Sequence, residues 1–115
     1  MTELNVKGMT LAPGVVETIV SIATQDVEGV AFVGSAAESA IRQMFTAKPT
    51  TQGIGVDVDE TDAVQVVVHI DVLYGYSLPE VAAAVRQSIA DALATQVGIE
   101  VESVDVYIDG IKFAR

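Results

Sequence analysis

A chain of 115 residues accommodates one domain with a single core, and its lack of cysteine rules out a disulfide framework and any thiolate metal site. Six basic against sixteen acidic residues leave a net charge of −10. That charge opposes nucleic-acid phosphates and anionic lipid leaflets, which are bound through Lys and Arg.

Met1 to Lys7 lacks a basic stretch followed by an apolar run, and no apolar stretch approaches the ~20 residues that span a bilayer. The reading is a cytoplasmic protein without direct membrane insertion. Apolar residues make up 50%, and nine glycines raise this to about 58%, above the ~45–50% usual for globular domains. A protein interface and a plain abundance of alanine and valine explain that surplus equally well.

In chain order, Asn5 to Leu11 reads as a short strand. A helix follows, opened by Pro13, whose missing N–H costs nothing in a first turn. Val16, Ile19, Val20, Ala23 and Val27 recur at helical spacing, and Gly29 ends the segment. Val30 to Val33 is a brief apolar strand. Ser35 and Glu38 then have the spacing of a capping box, and Ile41, Met44 and Phe45 give a short amphipathic helix stopped at Lys48-Pro49. Thr50 to Gly53 lacks any pattern, so a flexible loop is expected at about 47–53, inside a single domain covering 1–115.

From Ile54 the period changes to two. Ile54, Val56 and Val58 share one face, Asp59 to Asp62 turns, and Val64, Val66, Val68, Ile70 and Val72 continue that face on a second strand of a β-hairpin. Ser77 and Glu80 form a second capping box with Pro79 in the first turn. Leu78, Val81, Ala82, Val85, Ile89, Ala92 and Leu93 then mark a helical stripe ending near Gly98. The last strand buries Val104, Val106 and Ile108. Asp109-Gly110 shifts the parity so that Ile111 and Phe113 stay on the buried side, through either a bulge or a tight hairpin. The expected fold is α+β: two layers, a mainly antiparallel sheet, and two main helices plus one short helix packed on one face.

His69 is the obvious chemical candidate, with Asp71 on the same strand face and Asp57, Asp105 or Tyr107 able to approach from neighbouring strands. A histidine among carboxylates binds metal or acts as a base. Yet Gln65, Val67, His69, Asp71 and Leu73 occupy the positions opposite the apolar face, where a sheet wetted on one side carries polar residues anyway. Asp57 to Asp62 is acidic enough to suggest calcium, but an EF-hand loop needs glycine sixth and glutamate twelfth, where this chain has Asp62 and Val68. Gly53-Ile54-Gly55 begins like a dinucleotide fingerprint and lacks its third glycine. No catalytic, cofactor or metal residues are therefore assigned. The candidate interface is Val67, His69, Leu73 and Tyr107 on the otherwise polar sheet face, with Tyr74 and Tyr76, which flank Gly75 and offer ring area for recognition.

The order Glu28-Gly29-Val30, Gly53-Ile54-Gly55-Val56, Tyr74-Gly75, Leu78-Pro79-Glu80-Val81, Val85, Ile89, Gly98-Ile99, Val104-Asp105-Val106 and Gly110-Ile111-Lys112-Phe113 resembles the alkaline shock, envelope-stress-response protein family of Gram-positive bacteria. The resemblance implies a small cytosolic protein with no established enzymatic activity and no cofactor. It also implies self-assembly as a homo-oligomer, or docking on a membrane-anchoring protein partner. Non-enzymatic interaction in cell-envelope stress is thus the leading expectation. A small-ligand-binding regulatory domain, with the junction from Tyr74 to Ser77 as the host site, is the alternative.

Overall fold

The computed structural model describes residues 4–6, 8–12, 14–33, 53–58 and 63–113. Its elements are β1 (Leu4–Val6), β2 (Met9–Leu11), α1 (Val15–Gln25), β3 (Val30–Val33), β4 (Ile54–Val58), β5 (Val64–Leu73), α2 (Leu78–Gln96) and β6 (Val101–Lys112). Pro13, the short helix expected at Ser35–Phe45, the loop residues before Gly53 and the turn at Asp59–Asp62 lie outside the described residues.

The expected N-terminal strand is two strands, because Gly8 takes a left-handed φ of 84° that folds the chain back. Leu4 pairs with Leu11 and Val6 with Met9 in a two-stranded sheet separate from the main one. Helix α1 is capped by Gly14, with φ 93°, and ends at Gln25, short of the expected Gly29. Val27 therefore lies past the helix but still packs, partly buried, on the core.

The main sheet is organised around β5. Its alternation of buried and less buried side chains is the period-two pattern made physical: Val64, Val66, Val68, Ile70 and Val72 are at most 3% exposed and face the core. Along one edge, β4 pairs antiparallel with Val64–Val68 and β3 pairs antiparallel with Ile70–Val72. Along the other edge β6 pairs with the full length of β5, and this longest ladder is parallel. A parallel neighbour requires a crossover that carries the chain back to the starting end. At ~1.5 Å per residue, the nineteen residues of α2 span about 28 Å, close to the length of a ten-residue strand. The fold is α+β with a mixed sheet.

Helix α2 follows its sequence signals closely. The Ser77 hydroxyl accepts from the Glu80 N–H, proline stands in the first turn, and Gly98, with φ 81°, donates its N–H to the Leu93 carbonyl at 2.9 Å. Its buried stripe is Val81, Val85, Ile89 and Leu93; Leu78, expected in that stripe, is 39% exposed. These residues join Val16, Val20 and Ala23 of α1 and the inner face of β5 in one hydrophobic cluster. The Ser88 hydroxyl donates to the Ala23 carbonyl at 2.9 Å and ties the two helices together.

At Asp109-Gly110 the strand continues, so the parity change is a bulge and not a hairpin. Ile70 pairs with Ile108 and Asp71 with Gly110, leaving Asp109 as the extra residue. A second register shift leaves Glu102 unpaired between Val101 and Ser103. The bulge restores Ile111 to the core side opposite Val72, but the expected burial does not follow: Ile111 is 43% and Phe113 75% exposed. Both sit at the end of an edge strand, and Phe113 falls past the last ladder pair, Leu73 with Lys112, so its ring meets Tyr74 instead of the core.

Candidate interaction surface

Strand alternation places Gln65, Val67, His69, Asp71 and Leu73 on the sheet face away from the core. The register then sets their neighbours on that face: Val67 lies between Gly55 of β4 and Asp105 of β6, and His69 lies beside Tyr107. Gly55 carries no side chain, and a β-carbon built there would come no nearer than 4.0 Å to Val67. The aliphatic patch of Val67 is therefore left uncovered on that side.

The His69 and Tyr107 rings stack at 4.8 Å with 14° between their planes. The carboxylate facing His69 is that of Asp109, 3.0 Å from Nδ1, and not Asp57, Asp71 or Asp105. The bulge explains this choice. As the residue without a partner on β5, Asp109 is released from the ladder beside Tyr107 and reaches across to the imidazole. Both side chains stay open to water, at 39% and 51% exposure. Among the described residues no group of three or more His, Asp or Glu side chains is placed to hold a metal ion.

Carboxylates rim this strip. Asp57 stands opposite Gln65, Glu102 accepts from the Gln65 amide at 3.2 Å, and Asp105 and Asp109 flank Tyr107. At the far end Lys112 pairs with Leu73. Asp71 differs from the rest, being only 6% exposed. Opposite it, a β-carbon on Gly110 would lie 3.0 Å from Asp71 Oδ1, so glycine at that position is what gives the buried carboxylate its space.

The two tyrosines around Gly75, whose φ of 101° is left-handed, take different partners. Tyr74, 68% exposed, pairs with the Phe113 ring at 5.2 Å, and its N–H donates to the Lys112 carbonyl. Tyr76 packs against Gly29 and donates its hydroxyl to Glu28 at 3.2 Å. That hydrogen bond, with the negative charge of Glu28, raises the phenol above its ordinary pKa of 10.0. Sequence reasoning missed Asp109 and Phe113 as members of the exposed surface. The Asp109-Gly110 pair was the available signal, because a bulge exposes its extra residue.

These features define a small α+β domain with a valine-rich central strand and a carboxylate-rimmed, partly aromatic outer sheet face. The chain belongs to the alkaline shock protein family, a family of cell envelope-related function, which matches residues 1–113. Similar proteins include the uncharacterized protein YqhY of Bacillus subtilis, 30% identical over 103 residues that cover 90% of this chain and 76% of YqhY. Two uncharacterized proteins of Streptococcus pyogenes are also similar. Spy1614 is 30% identical over 105 residues, covering 89% of this chain and 85% of its own; Spy1535 is 23% identical over 111 residues, covering 96% and 84%. No solved structure matches the chain. Among the described residues no helix is long and apolar enough to cross a membrane.

Proposed function

We propose that this protein is a non-enzymatic interaction module in cell-envelope homeostasis or stress, which self-associates or docks a membrane-held protein partner from the cytoplasm. The outer sheet face carries the proposal. A sheet face wetted by solvent is expected to be polar, yet here Val67, Leu73 and the stacked His69 and Tyr107 rings run down its middle, with Tyr107 52% exposed. Rings held rigid by stacking offer contact area at low entropic cost, as recognition surfaces do. His69, the one imidazole in the chain, is engaged by Tyr107 and Asp109, an arrangement suited to fixing the shape of a contact surface. The family's envelope-related role supports the cellular setting.

The test is crosslinking in the native cell followed by fractionation, with sedimentation of the purified protein alongside. The expected result is a crosslinked species larger than the monomer, part of which is recovered with the membrane fraction. A protein that stays strictly monomeric at high concentration and yields no crosslinked partner would end the proposal.

A further inference from the structure

Resting on that reading, we infer that the outer sheet face docks a cationic protein segment, with Asp71 and the rim carboxylates receiving its Lys or Arg side chains and Val67 and Tyr107 receiving an apolar one. Charge complementarity carries the argument. Asp57, Glu102, Asp105 and Asp109 surround the apolar strip, and Lys112 is the cation paired into its far end. Two copies joined through this face would bring four carboxylates up to four others, and like charges juxtaposed across an interface are strongly disfavoured. An acidic partner meets the same obstacle. A segment rich in Lys or Arg is attracted by every one of these groups.

Asp71 is the second, independent observation. The residue is 6% exposed, and no hydrogen bond or ion pair to its carboxylate is present among the described residues. Burying such a group without a partner is costly. It lies on the same face as His69 and Leu73, opposite Gly110, whose missing β-carbon makes the room that the carboxylate itself occupies, with Oδ1 3.0 Å from where a β-carbon would stand. An ammonium or guanidinium brought by a partner would supply the donors that the described residues do not. Sites of this kind weaken the free protein for the sake of the complex. Replacing Asp71 by an uncharged isostere should therefore affect folding and binding in opposite directions.

The experiment places the photoreactive amino acid p-benzoylphenylalanine at Tyr107 or, as the comparison, at Tyr74, in the full chain in its native cell. The crosslinked peptide is sequenced, synthesised and titrated against the purified protein. Adducts from position 107 should fall in segments of net positive charge. Binding of that peptide should weaken about tenfold with Asp71→Asn and roughly threefold with either Asp105→Lys or Asp109→Lys. It should also weaken as salt rises from ~0.05 to ~0.3 M.

Asp71→Asn should leave the melting temperature unchanged or raised. A fall in melting temperature, or unaltered binding, removes Asp71 from the site. Adducts to acidic or neutral segments, or to a second copy of the chain, overturn the inference while leaving an interaction role standing. So does capture from position 74 but not from 107. Absence of adducts from both positions overturns the inference and the interaction role together.

Discussion

Gly29 joins α1 to β3 where the chain passes beneath Tyr76, and its replacement by alanine tests how tightly that corner is built. Its φ is 100°, a left-handed conformation that costs an L-residue ~1–2 kcal/mol. A β-carbon there would lie 2.9 Å from both Tyr76 Cδ2 and Val81 Cγ2. Tyr76 is tethered by its bond to Glu28, and Val81 is 4% exposed in the core, so neither moves freely. Overpacking of this kind adds about 1–3 kcal/mol.

The corner has no slack on its other side either, since the Gly29 carbonyl accepts from the Leu73 N–H at 2.8 Å. Gly29→Ala should therefore cost ~2–5 kcal/mol. For a chain of this size ~1 kcal/mol moves the midpoint by about 4 °C, which predicts a fall of ~8–20 °C in thermal unfolding followed by circular dichroism. In a Tyr76→Ala background the ring clash is gone, and the same substitution should cost ~1 kcal/mol or more less. A loss below about 2 °C would refute the packing argument. Equal losses in the two backgrounds would remove the Tyr76 ring as a cause and leave the backbone strain and the Val81 contact.

Gly110→Ala meets a single close atom, the Asp71 side-chain oxygen at 3.0 Å, with no left-handed φ to relieve. It should cost only ~1 kcal/mol by urea denaturation, and a loss as large as that of Gly29→Ala would contradict the geometry. Leu93→Ala empties a site that is 0% exposed between α2 and the sheet. It should lower stability by ~2–5 kcal/mol with the urea m-value unchanged. Because Glu28 raises the Tyr76 phenol above 10.0, the folded state holds that proton more tightly than the unfolded chain does. The associated stability is complete below pH 10.0 and fades as the pH rises through the higher folded value. Phenolate absorbance should show the Tyr76 phenol titrating above 10.0, and Glu28→Gln should bring it back toward that value. No change in Glu28→Gln would show that the contact is absent in solution.

The inner face of β5 was legible because burial on a strand selects every second residue, and Val64, Val66, Val68, Ile70 and Val72 can satisfy that period in one way only. Helix α2 was legible for a similar reason: Ser77, Pro79 and Gly98 are local instructions whose hydrogen bonds close within a few residues. Four of the six candidate interface residues, Val67, His69, Leu73 and Tyr107, were named from alternation as well, which assigns a face but not its neighbours. Where a signal depends on more than a local window, reading it along the chain fails. Asn5 to Leu11 looked like one strand because the left-handed backbone at Gly8 leaves no mark on hydropathy.

Chain-local chemistry accounts for which segments curl or extend and which side of each turns inward, since torsional preference and periodic burial act over a handful of residues. Pairing between distant segments set the rest: that β6 lies parallel to β5, that Asp109 and not Asp71 meets His69, and that Phe113 leaves the core for Tyr74. Register and bulges arise when two strands separated by a nineteen-residue helix settle against each other. The energies that choose among registers belong to the assembled sheet and are not carried by either strand alone.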